Sequence, residues 1–189
     1  GLVHIRHPGE SLAPNATFSF QSSVHYEGAP TGARHQLRML WRWRNRPLLA
    51  AKYWQPELRR HLLQAIQDFQ PDVALGELAQ MAQYLPLLHG TPTVFTDHEA
   101  GQPANASTGL GKQADLRDNR LWRRYIRKYY RQADLIQALT YEDATALSEI
   151  VDREVLVRPP TLKIPPATCA PGKAPPRALL LGDYRPGPH

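Results

Sequence analysis

The sequence predicts an α/β fold in which helices flank a parallel, Rossmann-like sheet. Two short apolar runs, residues 73–75 and 94–95, have the length and composition of buried strands. The segment between them predicts a helix, because apolar side chains recur every three or four positions at Leu78, Met81, Ala82, Leu85 and Leu88. Two strands joined through a helix run parallel, because such a crossover returns the chain to the same end of the sheet.

Two candidate strands and two candidate helices precede this unit. Residues 3–7 alternate between apolar and polar and are a predicted strand. Residues 17–26 alternate more weakly and are predicted to be either a strand or an extended arm. Over residues 33–49 the pattern becomes helical, with one apolar side formed by Leu37, Leu40, Trp41 and Leu48. A second helix is predicted to begin at Pro56, a residue favoured in a first turn. Its apolar stripe comprises Leu58, Leu62, Ala65, Ile66 and Phe69.

Beyond residue 99 the chain is predicted to contain one long loop and a further set of helices and strands. Residues 100–117 are rich in small and polar side chains and predict a mobile loop. The pattern then predicts helix 118–133, strand 134–140, helix 144–151 and strand 154–158. Seven prolines in residues 159–176 predict a linker, because proline cannot donate a backbone hydrogen bond. Residues 177–182 predict the start of a new β element.

Composition limits the classes of protein and partner. The chain has 189 residues, a formal charge of +6 and a pI near 9.7, which favour an anionic partner. It has no apolar run of about 18 residues and therefore no predicted membrane-spanning helix. Its one cysteine, Cys169, excludes an internal disulfide and fits a reducing cytosol. We therefore expect a cytoplasmic protein.

Polar residues follow the predicted strands where parallel sheets bind ligands, beyond the carboxyl ends. These candidate ligand-contacting residues are Gly76, Glu77, Asp97, His98, Glu99 and Thr140. His98 is the strongest candidate, since an imidazole can donate a hydrogen bond or carry charge near neutral pH. Each also has a purely structural interpretation: a strand-capping histidine, solvated acids, a turn glycine, and for Thr140 a helix N-cap.

Basic residues form two clusters. In the first, Arg42, Arg44 and Arg46 lie close to Trp41 and Trp43, and in the second Arg124 belongs to an arginine-rich helix. The four arginines are candidates for membrane or phosphate contact. A solvated basic face and nucleic-acid binding remain the alternatives. We assign no metal, because neither paired cysteines nor a His-x-x-x-His pair is present.

An ordered set of motifs resembles a known enzyme family. PDVALGE at residues 71–77 precedes TPTVFTDHE at 91–99, WRRY at 122–125 and ADLIQALTYEDA at 133–144. Together they resemble the acceptor half of GT-B glycosyltransferases, and more narrowly the retaining "group 1" (family-four) enzymes. LLLGDYRP at 179–186 is similar to the first strand of the nucleotide-binding domain in that family.

The resemblance implies the N-terminal half of a GT-B fold, truncated at both ends. Residues 1–158 would form the acceptor-side domain, 159–176 a linker and 177–189 the first strand of a missing C-terminal domain. His98 would be catalytic, and the substrate-binding residues would be Gly76, Glu77, Asp97, Glu99 and Thr140. The implied co-substrates are a nucleotide-sugar and a sugar or lipid-linked acceptor, with no metal cofactor, and the fragment alone is expected to be inactive.

Two other functions stay open at this point. A Rossmann-like scaffold can serve as a binding or assembly module without turnover, and a basic domain can bind nucleic acid, although the resemblance makes nucleic acid an unlikely partner. The resemblance and the basic clusters together allow peripheral attachment at the inner face of an anionic membrane.

Overall fold

The computed structural model describes residues 2–6, 21–25, 33–99 and 107–160. Its strands are β1 Leu2–Arg6, β2 Gln21–His25, β3 Ala74–Glu77, β4 Thr93–Asp97, β5 Leu135–Ala138 and β6 Leu156–Val157. Its α-helices are α1 Ala33–Trp43, α2 Leu48–Lys52, α3 Pro56–Phe69, α4 Lys112–Tyr129 and α5 Tyr141–Val151. Two 3₁₀ segments, Ala79–Leu88 and Tyr130–Gln132, complete the described elements.

A four-stranded, all-parallel sheet forms the centre of the fold. Its strand order is β3-β4-β5-β6, with Glu77 opposite Thr96 and Asp97 opposite Ala138. Strands β1 and β2 pair in parallel in a separate two-stranded sheet. Helices and 3₁₀ segments connect the strands of the larger sheet, so the predicted α/β, Rossmann-like class is confirmed.

The main core lies between the larger sheet and the segments that connect its strands. Phe95 of β4 and Ile136 of β5 are buried beside Trp122 of α4 and Tyr130. The rings of Phe95 and Tyr130 lie 4.6 Å apart at a tilted angle of 56°. Apolar side chains on neighbouring strands and on α4 therefore bury one another.

The predicted helix over residues 78–88 is a 3₁₀ segment, Ala79–Leu88, instead of an α-helix. Pro86 lies inside it, and proline removes one helical donor and clashes with the carbonyl four residues earlier. Leu78, immediately before the segment, has φ +72° and cannot continue a right-handed helix. The apolar spacing was therefore correct for the burial of Ala82 and Leu85, but Leu78 is 44% exposed and the predicted helix type was wrong.

The predicted helix over residues 33–49 is divided into α1 and α2. Pro47 restricts the backbone of the residue before it to extended conformations, so the helix ends at Trp43 and resumes at Leu48. The predicted apolar side of α1 does not face the core. Leu37, Leu40 and Trp41 are 66%, 56% and 72% exposed, whereas Trp43 is buried.

The remaining boundaries follow the predictions with local shifts. α3 begins at Pro56 as predicted, although only Leu58 of its stripe is fully buried and Phe69 is 44% exposed. α4 begins at Lys112, so the last part of the predicted loop is helical. The carboxylate of Asp115 accepts hydrogen bonds from the backbone N–H and hydroxyl of Thr108, and these bonds lower its pKa. They tie the preceding turn to the first turn of α4.

Several predicted features lie outside the described residues. These are residues 100–106 of the loop, most of the 159–176 linker and the β element at 177–182. The predicted domain boundaries accordingly stay a prediction. Of the helices that the structure describes, none combines the length and apolar character needed to cross a bilayer.

Candidate active site

The parallel order brings the ends of three neighbouring strands to one edge of the sheet. Glu77 is the last residue of β3 and Asp97 the last of β4, and Thr140 follows β5 by two positions. Because Asp97 pairs with Ala138 in register, the segments after β4 and β5 leave the sheet at the same level. The sequence-predicted site residues therefore share the edge at which α/β proteins bind ligands.

Glu77 and His98 are in direct contact at this edge. The imidazole Nε2 lies 3.2 Å from a carboxylate oxygen of Glu77, and the two side chains are 37% and 59% exposed. An ionised carboxylate can only accept, so Nε2 carries the proton in this bond. Nδ1 then accepts a hydrogen bond when the ring is neutral and donates one when the ring is charged. The contact orients the His98 imidazole at the sheet edge.

A small cavity of about 130 Å³ lies beside His98. Its walls are formed by His98 and Glu99 after β4, by Leu49 of α2, and by Leu78, Ala79 and Gln80 after β3. Typical small-molecule sites have volumes of several hundred Å³. The cavity is therefore large enough for only part of a small-molecule ligand.

Leu78 gives the edge a strained backbone. Its φ of +72° is disfavoured for a leucine, and such conformations cost on the order of 1–3 kcal/mol each. Its N–H donates to the carbonyl of Thr96 at 3.3 Å, which holds the chain against β4 as it leaves the sheet. Strain of this kind is concentrated at ligand-binding and catalytic sites.

Asp97 is completely buried, in contrast to its exposed neighbour His98. The Tyr130 hydroxyl donates to its Oδ2 at 2.6 Å, and the N–H of Glu99 donates to its Oδ1 at 2.9 Å. Burial, reinforced by the Asp97 charge, raises the pKa of Tyr130 far above its usual range. The geometry makes Asp97 a positioning residue that fixes the turn carrying His98, and a direct sugar contact stays a prediction.

Gly76 is explained by packing in the core. A Cβ atom at this position would lie 3.0 Å from Cδ2 of Phe95 and 3.3 Å from Cδ2 of Leu85. Those distances are shorter than ordinary van der Waals contact, so a side chain would displace both neighbours. The predicted close approach of a ligand to Gly76 therefore has a competing structural explanation.

Thr140 is the N-cap of α5, which confirms its structural interpretation. Its Oγ1 accepts a hydrogen bond from the N–H of Asp143 at 3.1 Å and donates to the Asp143 carboxylate at 2.8 Å. The side chain is exposed, so capping leaves it accessible at the sheet edge. No contact between Thr140 and His98 is found within the described structure.

Two buried polar residues that support the site were not predicted. Asp118 of α4 accepts a hydrogen bond from Trp43 Nε1 at 2.6 Å and another from the N–H of Leu48 at 2.8 Å. Burial raises the pKa of Asp118. Gln83 accepts from Arg46 at 2.9 Å and donates to the carbonyl of Ala50 at 2.8 Å.

The apolar pattern of α4 contained a signal for the burial of Asp118. Asp118 precedes Leu121, Trp122 and Tyr125 by three, four and seven residues, and so shares their buried helical face. A polar residue on such a face must find a partner in the core. The sequence could indicate that Asp118 is buried, but it could not identify Trp43 and Leu48 as its donors.

Three of the four candidate arginines surround a second cavity, which is lined by Arg42, Arg46 and Arg124. Arg44 is exposed and is not among the lining residues. Across the described ranges no group of three or more His, Cys, Asp or Glu side chains could hold a metal ion. The prediction that the reaction needs no metal stays a prediction.

Comparison with known proteins points to one family. A model of the family described as Glycosyltransferase Family 4 matches residues 19–160, well over half of the chain. Comparisons with curated proteins and with solved structures find no match. The match includes the whole β3–β6 sheet and both residues of the Glu77–His98 pair. The chain therefore belongs to Glycosyltransferase Family 4.

Proposed function

We propose that this chain is the acceptor-side domain of a retaining, metal-independent GT-B glycosyltransferase. The parent enzyme would transfer a sugar from a nucleotide-sugar to a sugar or lipid-linked acceptor. The observation that carries the proposal is the Glu77–His98 contact of 3.2 Å at the carboxyl edge of a parallel sheet, in a family of glycosyltransferases. The donor nucleotide would be bound by a further domain that begins near residues 177–189.

The proposed chemistry assigns different tasks to the two residues. During transfer the bond from the sugar to the donor phosphate breaks and positive charge develops on the sugar ring. The acceptor hydroxyl oxygen would form the new bond to the same sugar carbon, and its proton would pass to the leaving phosphate. His98 would donate a hydrogen bond to the reacting sugar or the leaving oxygen, while Glu77 holds the ring in place through Nε2. Glu99 and Thr140 would contact acceptor hydroxyls at the rim.

The test is substitution of His98 in the full-length protein. His98→Ala should lower nucleotide-sugar hydrolysis and sugar transfer by about a hundredfold or more, the usual contribution of a positioned acid or base. Stability in urea should be nearly unchanged, since His98 is partly exposed and its hydrogen bond is to exposed Glu77. Glu77→Gln should have a smaller effect on rate, because the amide still accepts a hydrogen bond from Nε2.

His89→Ala provides the matched control. His89 is exposed and precedes β4, at the opposite end of that strand from His98. Its loss should leave hydrolysis within about twofold of the wild type. Hydrolysis that survives His98→Ala unchanged would remove His98 from the mechanism. A folded wild-type protein that shows no turnover would favour the non-catalytic binding module.

We further propose that α1 attaches the protein to the inner, anionic face of a membrane. Leu37, Leu40 and Trp41 are exposed on one side of the helix, and Arg34 and Arg38 are exposed next to them. A helix with an apolar face and flanking arginines suits the interface between lipid headgroups and acyl chains. Peripheral attachment would bring the enzyme to a lipid-linked acceptor.

Vesicle sedimentation tests this attachment. The triple variant Leu37→Ala, Leu40→Ala and Trp41→Ala should bind vesicles of equimolar phosphatidylcholine and phosphatidylglycerol roughly tenfold or more weakly than the wild type. Leu110→Ala with Leu116→Ala removes exposed leucines elsewhere and should bind normally. Equal binding by all three proteins would reject the proposal.

A further inference from the structure

The two basic clusters of the sequence meet at a single cavity. Arg42 and Arg46 come from α1 and the turn after it, whereas Arg124 and Lys128 come from α4, about 80 residues later in the chain. Arg124 and Lys128 are four residues apart and so lie on the same face of α4. The cavity between these elements has a volume of about 290 Å³.

In the part of the chain that the structure describes, no carboxylate pairs with these four cations. No Asp or Glu is among the lining residues, and within residues 33–99 and 107–160 none of the four cations forms an ion pair. Arg42 and Arg46 each donate one hydrogen bond, to the carbonyl of Trp54 at 3.1 Å and to Gln83 at 2.9 Å. Burial lowers the pKa of Arg42, and the nearby positive charges of Arg38 and Arg46 lower it further. A bound anion would relieve this repulsion.

Aromatic side chains give the cavity a rigid wall. Trp54 stacks on buried Tyr84, with ring centres 5.3 Å apart, and the Arg46 guanidinium lies over the Trp54 ring at 4.4 Å from its centre. The Tyr84 hydroxyl accepts from the N–H of Gln55 at 2.6 Å and donates to the carbonyl of Tyr53 at 2.7 Å. The backbone on both sides of Trp54 is therefore held in place before any ligand binds.

We propose that this cavity is a binding site for a phosphate or diphosphate group, separate from the Glu77–His98 edge. Guanidinium groups bind phosphate oxygens through paired, charge-assisted hydrogen bonds, and Lys128 adds a compact positive charge. The aromatic wall can accommodate an adjoining apolar or ring-bearing part of the ligand. The phosphate could belong to a free small molecule or to a lipid headgroup. The inference does not depend on the proposed glycosyl transfer.

Titration calorimetry with inorganic pyrophosphate tests whether the cavity binds the phosphate of a free small molecule. The wild-type chain should bind saturably with one site. Arg124→Ala combined with Lys128→Ala should weaken binding about tenfold or more, the effect of losing charge-assisted hydrogen bonds. Both side chains project from the surface of α4, so the fold should persist, and far-ultraviolet circular dichroism would verify it.

Arg123→Ala combined with Arg127→Ala is the matched control. These residues have the same spacing on α4 and remove the same charge, but they do not line the cavity. This control should change pyrophosphate affinity by less than about twofold at equal ionic strength. An equal loss in both double variants would show diffuse attraction by net charge and would overturn the proposal.

Vesicle binding tests whether the phosphate instead belongs to a lipid headgroup. If pyrophosphate fails to bind, but vesicles of equimolar phosphatidylcholine and phosphatidylglycerol bind the Arg124→Ala, Lys128→Ala variant more weakly and the Arg123→Ala, Arg127→Ala control normally, the ligand is a lipid phosphate and the site is supported. Failure of the wild type to bind either probe would overturn it. If pyrophosphate does not bind, vesicle binding that is weakened in the α1 variant Leu37→Ala, Leu40→Ala and Trp41→Ala but unchanged in the Arg124→Ala, Lys128→Ala variant would also overturn the cavity as a phosphate site.

Discussion

His98 and Glu77 are exposed at the sheet edge, whereas Asp97, adjacent to His98 in the chain, is completely buried. Strand alternation produces this contrast, because successive side chains point to opposite sides. Asp97 uses both carboxylate oxygens to hold Tyr130 and the backbone of Glu99. At the residue scale, the exposed pair is available for a ligand and the buried acid supports it.

The Gly76→Ala substitution distinguishes two explanations of this glycine, packing in the core and close approach of a ligand. We expect a destabilisation of about 1–3 kcal/mol, because the new methyl group would lie 3.0 Å from the Phe95 ring. Urea unfolding followed by tryptophan fluorescence would measure it. Unchanged stability together with reduced sugar binding would contradict this packing explanation and support close approach by a ligand.

At the scale of elements, helix ends decide where the polar groups of the site lie. α1 ends at Trp43 and α2 begins at Leu48, and Asp118 of α4 binds both of these residues. The turn between α1 and α2 places Arg46 in the wall of the basic cavity, and the start of α2 places Leu49 in the wall of the small cavity. The Ala79–Leu88 segment connects the two regions, since Gln80 lines the first and Gln83 binds Arg46 of the second.

Thr140→Ala tests the cap of α5. The variant should be less stable by about 1 kcal/mol, because the N–H of Asp143 loses its acceptor at the start of the helix. Chemical denaturation would measure the loss. Thr145→Ala, in the exposed interior of α5, should change stability by less than about 0.5 kcal/mol. Equal stabilities with a selective loss of transfer would instead assign Thr140 to the substrate.

At the scale of the whole molecule, buried tyrosines link the core to its surroundings. Burial raises the pKa of Tyr84 to about 12 and raises the pKa values of Tyr125 and Tyr130 well above their usual range. Tyr125 also accepts from the N–H of Gln83 at 2.9 Å and donates to the carbonyl of Gln80 at 3.0 Å. Their protonated hydroxyls are thus part of the folded structure.

Stability should therefore fall as the pH rises from 10 towards 12. In this interval the unfolded chain releases tyrosine protons that the folded chain retains, so the unfolded state is favoured by about 1.4 kcal/mol per pH unit for each buried tyrosine. Below pH 10 this contribution is fully present. Urea unfolding at pH 9, 10 and 11 would measure the slope.

Two phenylalanine variants provide the comparison. Tyr84→Phe removes one titrating group and should show a shallower decline, while Tyr141→Phe changes an exposed tyrosine and should follow the wild type. Both variants keep the same lysines and arginines, so the difference between them isolates Tyr84. Identical slopes for the two variants would contradict a raised pKa of Tyr84 in the folded protein.

Local patterns were sufficient to predict the parallel sheet and the edge that carries Glu77 and His98. Apolar runs mark strands, and the polar residues after them mark the carboxyl ends, because both signals depend only on neighbouring residues. Thr140 was identifiable as a cap for the same reason. Local patterns also placed α3 and α5 within a few residues of their observed bounds.

Which residues far apart in the sequence come into contact depends on the tertiary structure. The contact of Glu77 with His98 and the burial of Asp118 against Trp43 depend on how elements pack. Helical spacing predicted an apolar side of α1, but burial depends on whether a partner covers that side, and the described residues leave Leu37, Leu40 and Trp41 exposed. The basic cavity joins residues about 80 positions apart, so no local pattern could reveal it. Local sequence patterns predicted the order of strands and helices, whereas packing determined the sites, because a site requires residues that are close in space and far apart in the chain.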